Sequence, residues 1–146
     1  MSLQDWLKDK WIKPHRTSQE EIGSLLRIAD RDIIQSQLPG MDNDTRLSIS
    51  YNAALQCSAA ALAAAGYRVS REAYHYRLIQ SLRFTLNLHE PMIKILDDFR
   101  RKRNICDYER SGTVSQQEAG EMIELAIKVR RLTEEWLLKN HPEFME

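Results

Sequence analysis

From Ala53 to Gly66 the chain reads AALQCSAAALAAAG. A run of this length built from Ala, Ser, Cys and Leu belongs to a helix, and its small side chains let neighbouring helices approach closely. It is far shorter than the ~20 apolar residues a membrane span needs. The helix is predicted from the N-cap candidates of MDND (41–44) to about Ala65. Its inner stripe is Leu47, Tyr51, Ala54, Leu55, Ser58, Ala61, Leu62 and Ala65, and Gly66 closes it. Whatever else the chain does, other helices must cover this one.

The remaining segments supply them. Only five glycines and four prolines punctuate the 146 residues, and β-branched residues never cluster in alternating runs. A short helix is predicted over Leu3 to Trp11, amphipathic through Leu3, Trp6, Leu7 and Trp11, ending before Pro14. Ser18 with Glu21 reads as a capping box, opening a helix through Ile22, Leu25, Leu26, Ala29 and Ile33 that stops at Leu38-Pro39-Gly40. Ser70 is the candidate cap of a fourth helix carrying His75, Ile79, Leu82 and Leu86. A fifth begins near Glu90-Pro91 and runs until SGTVS (111–115). Ser115 with Glu118 is a second capping box, before a long last helix lined by Met122, Leu125, Ala126, Val129, Leu132 and Trp136. The fold class is therefore all-α, an up-and-down bundle of four to five main helices. It forms a single domain over 1–146, with 1–16 as a short N-terminal helix and connector.

Lys plus Arg and Asp plus Glu both total 21, so there is no global basic field and any anion site is local. Cys57 and Cys106 lack metal-ligand spacing and read as reduced core thiols. MSLQDWLKDKW has no apolar signal core, and the expectation is a soluble, cytoplasmic protein without a membrane partner, metal or cofactor.

The informative stretch is FRRKRNICDYERSG (99–112). Advancing about 100° per residue from Phe99, Met92, Ile95, Leu96 and Cys106 share its apolar stripe, and so does Arg103. Arg100, Asp107 and Asn104 flank the stripe, while Arg101 and Tyr108 point away. An arginine inside an apolar stripe needs a partner. Asp107, one turn on, is the local choice, with Arg101 and Lys102 answered by Asp97 and Asp98. Two functions are open to this pattern. One is a structural ion pair between Arg103 and Asp107. The other is an anion or phosphate site formed by Arg100, Arg103 and Asn104, since forked donors suit phosphate oxygens.

Arg100-x-x-Arg103-Asn104-x-x-x-Tyr108 resembles the R-x-x-R-N-x-x-x-Y signature of a divergent bacterial branch of the HEPN superfamily. The Ala-rich helix followed by Gly66-Tyr67-Arg68, with His75 opening the next helix, is similar to that branch as well. Together the two blocks cover roughly positions 50 to 110. The resemblance implies an α-helical bundle, commonly a homodimer, with its Arg-motif helices facing each other across the dimer. It further implies a metal-independent ribonuclease of toxin–antitoxin or phage-defence systems, often encoded beside a nucleotidyltransferase. Arg103 and Asn104 match the first two positions of the Arg–polar–His active motif, but RNICDYER contains no His.

Tyr108 stands where the family base would be, and at pH 7 a phenol with a pKa of about 10 is a poor base. Asp107 and His75 are the remaining candidates, the second only where the fold carries it to Arg103. The catalytic candidates are thus Arg103, Asn104, Tyr108 and His75, and the ligand-binding ones Arg100, Arg103, Asn104 and Asp107. RNA or nucleotide binding with weak or absent ribonuclease activity is the leading expectation. An active ribonuclease toxin and a non-catalytic structural or antitoxin-like subunit are the alternatives. Homodimerisation through the Arg100, Asn104 and Tyr108 face and pairing with a nucleotidyltransferase or antitoxin are the expected assemblies. His75 also shares a face with Ile79 and Leu82, as a core histidine would. His15, His89 and His141 sit at breaks, and Trp6 and Trp11 either cap the core or cover a groove.

Overall fold

The computed structural model describes residues 1–108 and 112–145, the Tyr108 side chain excepted. It is an all-α bundle carrying one two-stranded ribbon. In order, the elements are α1 (Leu3–Lys8), β1 (Ile12–Pro14), α2 (Gln19–Ser36), α3 (Asn43–Ala64), β2 (Tyr67–Val69), α4 (Tyr74–Thr85), α5 (Glu90–Tyr108) and α6 (Gln116–Asn140). A 3-10 turn, Pro142–Phe144, follows.

α3 is the hub. The Asp42 side chain caps it by accepting from Thr45 N at 2.8 Å. Gly66, at φ 101°, ends it in the left-handed conformation that glycine adopts without strain. Burial extends beyond the predicted stripe to Ser50, Ala53, Cys57, Ala60, Ala63 and Ala64, so the helix is covered on nearly every side. α2, α4, α5 and α6 all pack on it. The Arg-motif helix α5 is not enclosed by the others but packs against α3 and α4. The reason is chemical: α5 is charged at nine of its 19 positions, and only a helix of small neutral residues can be surrounded without burying charge.

The phase of α5 differs too. Ile93 and Leu96 are buried, whereas Ile95 is 48% exposed. The inward direction thus lies between the faces of Phe99 and Ile93, which brings Arg100 as well as Arg103 onto it.

Local signals around the core are mostly satisfied. Ser115 and Glu118 form their reciprocal box at the start of α6. Ser18 caps α2, but the return half of that box is not made, because Thr17 and His15 hold the Glu21 carboxylate at 2.6 and 2.7 Å. Asp32, buried on α2, accepts from Asn52 of α3 at 2.7 Å. Arg130 of α6 reaches Asp30 at 2.8 Å.

The ribbon was not legible beforehand. α1 stops at Lys8, Lys10 turns the chain at φ 64°, and residues 12–14 pair antiparallel with 67–69. Ser70 does not cap α4. Its N–H donates to Trp11 O, and its Oγ to Lys10 O, both at 2.9 Å, which extends the ribbon. α4 begins instead after Ala73, a non-glycine residue at φ 53° with no side-chain cap. No helix among the described residues is long and apolar enough to cross a membrane.

Candidate functional site

The inward edge of α5 meets the start of α4 and the middle of α3. Arg103 Nε lies 2.9 Å from Asp107 Oδ2, the local ion pair the spacing predicts. Its NH1 lies 3.3 Å from His75 Nδ1, so the fold does carry the α4 histidine, 28 residues away in sequence, to the arginine. The Arg103 guanidinium sits 5.6 Å from the centre of the Tyr51 ring, which also faces His75. With 21% of its side chain exposed, Arg103 is neither solvated nor sealed.

Arg100 is similarly placed, 20% exposed. It donates from Nε to Asp97 Oδ1 at 2.7 Å and lies 5.4 Å over the Tyr76 ring. Asp97 is nearly buried and also takes Arg101 at 3.1 Å. Two further charge pairings differ from the sequence reading. Lys102 reaches Glu118 of α6 at 3.5 Å rather than an aspartate of its own helix, and Asp98 pairs with Lys94 at 3.1 Å. Asp107 also accepts a hydrogen bond from Ser48 of α3 at 3.0 Å. Asn104 makes no side-chain hydrogen bond among the described residues and lies half-buried beside the two arginines. The Tyr108 side chain falls outside the described residues.

Two buried polar atoms here lack hydrogen-bond partners among the described residues: the Tyr51 hydroxyl and Arg103 Nε. Nε is close enough to Asp107 for an ion pair but is not aligned to donate to it. An orphaned buried polar group costs about 1–3 kcal/mol, and two of them in one cluster mark it as unusual. Burial raises the Tyr51 pKa well above the phenol value, while Arg100 and Arg103 pull it back, so the hydroxyl lies within their field.

His75 is pushed the other way. Burial first, then the charges of Arg103 and Arg100, lower its pKa below the ordinary histidine value. The ring is therefore neutral at pH 7, and Nδ1 must be its acceptor nitrogen to receive the Arg103 N–H. Neutral imidazole beside guanidinium is the pairing that moves a proton next to a bound phosphate. Its base lone pair is, however, already engaged by Arg103.

The thiols behave as core. Burial pushes Cys57 up to about 12, and Cys106, raised by burial and then by Asp107, donates to Arg103 O at 3.3 Å. Among the described residues no three His, Cys, Asp or Glu side chains converge as a metal site requires.

Of the sequence-stated candidates, Arg100, Arg103, Asp107 and His75 come together, with Asn104 beside them. Tyr51, Tyr76, Asp97 and Ser48 contact these residues. Tyr51 was read only as core filler, since its position on the α3 stripe carries no mark of its neighbours. Comparison with protein-family models, with curated proteins and with solved structures finds no match to this chain.

Proposed function

We propose that this chain is a HEPN-like protein that binds RNA or a nucleotide through Arg100, Arg103 and Asn104, with little or no ribonuclease turnover on its own. The observation that carries the reading is the meeting of Arg103 with His75 at 3.3 Å beside the unpartnered Tyr51 hydroxyl. A phosphate oxygen accepting from Arg103 would lie near the Tyr51 hydroxyl, which has no hydrogen-bond partner among the described residues.

Weak turnover has two physical sources. The His75 lone pair faces Arg103 rather than an open approach for a ribose 2′-hydroxyl. In addition, Asp97 and Asp107 already answer the two arginines, which lowers the field available to a second negative charge developing on phosphate. Losing general-base help is worth about 10²–10⁴-fold. A ribonuclease using His75 as its base is the second reading, favoured by the same short contact. Assembly follows the family expectation: a homodimer through α5, where Ile105 is 38% exposed next to Asn104. A cytoplasmic toxin–antitoxin or phage-defence setting, with a nucleotidyltransferase or antitoxin partner, completes the proposal.

The test incubates purified protein with mixed RNA, with and without chelator, beside Arg103→Ala and His75→Ala. Salt-sensitive RNA binding that Arg103→Ala abolishes, without cleavage, supports the proposal. Chelator-resistant cleavage lost in both variants replaces it with the ribonuclease reading. If no nucleotide or RNA binds, and Arg103→Ala mainly lowers the melting temperature, the cluster is structural.

A further inference from the structure

Lys13 and Arg68 stand directly opposite each other in the ribbon, both exposed. Like charges facing each other across an antiparallel pair destabilise it, so the pair is unexplained by folding alone. It is part of a larger asymmetry. Segments 8–16 and 68–77, joined by the ribbon, carry seven Lys and Arg against Asp9 and Glu72, in a chain whose formal charge is zero. None of the seven makes an ion pair with a carboxylate among the described residues. Glu21 lies within the field of Arg68, but its carboxylate is held by Thr17 and His15.

At one end of the ribbon Trp11 opens a groove of about 520 Å³, walled by Trp6, Tyr76, Arg77, Arg83 and Phe84. That volume falls within the roughly 300–1,000 Å³ of small-molecule sites. The Arg77 guanidinium lies 4.4 Å over the Trp11 ring and donates to the Glu72 carbonyl at 3.3 Å. Arg83, by contrast, is answered by Glu90 at 2.8 and 2.9 Å. Tyr76 lines this groove and also lies beneath Arg100, so the groove and the candidate site share a wall.

Cations interleaved with aromatic rings along one track are the surface that single-stranded nucleic acid uses, its phosphates following the charge and its bases stacking on the rings. We propose that the ribbon and groove bind single-stranded RNA, with phosphates over Lys13 and Arg68, a base against Trp11 and Arg77, and the strand leading past Tyr76 toward Arg100. This deepens the phosphate-binding reading and rests on it only for the far end of the path. A duplex keeps its bases stacked inside and offers the groove nothing. A membrane surface would match the cations but not the recessed rings.

The test measures anisotropy of a fluorescein-labelled, unstructured 20-nucleotide RNA of A and C across a salt series, using the full chain. If the ribbon holds two phosphates, Lys13→Ala/Arg68→Ala makes the slope of log affinity against log salt shallower by about 1.4. Its melting temperature should not fall, because a repulsive pair has been removed. Loss of a stacked base in Arg77→Ala should weaken binding roughly 5- to 150-fold. RNA should quench tryptophan fluorescence in the native chain and markedly less in Trp11→Phe, where Trp6 alone remains in the groove. An unchanged salt slope, quenching undiminished in Trp11→Phe, equal affinity for the annealed duplex, or binding to anionic vesicles but not RNA each overturns the proposal. Arg103→Ala separates the two readings. RNA binding kept there but lost in the ribbon variant upholds the ribbon and removes the phosphate site at Arg103, and the opposite pattern removes the ribbon.

Discussion

Replacing Asp107 with Asn removes one negative charge while leaving an oxygen that can still accept from Ser48. A ligand site and a structural ion pair respond to this in opposite directions. Asp107 Oδ2 is 2.9 Å from Arg103 Nε, and a phosphate oxygen hydrogen-bonded to the same guanidinium lies about 2.8 Å beyond it. The two anions are thus separated by on the order of 5–6 Å. At that distance their repulsion is about 0.8 kcal/mol in a water-like dielectric and about 3 kcal/mol at an effective dielectric of 20. Asp107→Asn should therefore tighten binding of a phosphate-bearing ligand by roughly 4- to 150-fold. The lost ion pair spans one helical turn with both side chains partly exposed, so its contribution to folding is about 0.3–1 kcal/mol. Isothermal titration with a mononucleotide or short RNA, paired with a thermal melt, reads both quantities. Tighter binding with a small loss of stability is the expected result. Unchanged or weaker binding in a folded variant would refute the electrostatic reasoning and leave Arg103 as a structural partner of Asp107.

Tyr51→Phe deletes a buried hydroxyl that has no hydrogen-bond partner among the described residues. The free protein should melt higher, with each kcal/mol recovered worth roughly 2–4 °C, while ligand-induced stabilisation shrinks; a lower melting temperature would contradict this account. For His75 the folded pKa is lowered, so the unfolded chain binds the proton more tightly. Its contribution to stability is complete above the ordinary histidine range, near pH 6.5, and declines as pH falls through it. Urea midpoints between pH 5 and 8 should accordingly fall less steeply toward acid in His75→Gln than in the native chain, and identical profiles would show that His75 is not held neutral by folding. A phosphate beside His75 favours its protonated form, so affinity should also rise from pH 8 to pH 6 in the native chain and stay flatter in His75→Gln.

Elements whose apolar period runs over several turns were readable from sequence, and those made by pairing were not. α3 and α6 announce themselves through stripes and caps that are local properties of the chain. The strands at Ile12–Pro14 and Tyr67–Val69 are three residues each, too short for alternation to register, and Ser70 looks like a helix cap until Lys10 and Trp11 are placed beside it. Arg103 as an inward arginine was visible because α5 is long. Taking Phe99 as the centre of its stripe misplaced the phase, so Ile95 was read as buried and Arg100 as peripheral. The contact between His75 and Arg103 depends on how α4 is rotated against α5, which no single-helix period encodes. Tyr51 needed both helices in place before its hydroxyl could matter.

α3 touches α2, α4, α5 and α6, and most of its side chains from Ala53 to Ala64 are buried. None of the four can lift away without exposing the same helix. The bundle therefore has no subglobal opening that frees the middle of α3 while the rest stays folded. Amides near Ala54 to Leu62 should therefore be among the slowest in the chain to exchange with solvent, which hydrogen exchange followed by mass spectrometry would show.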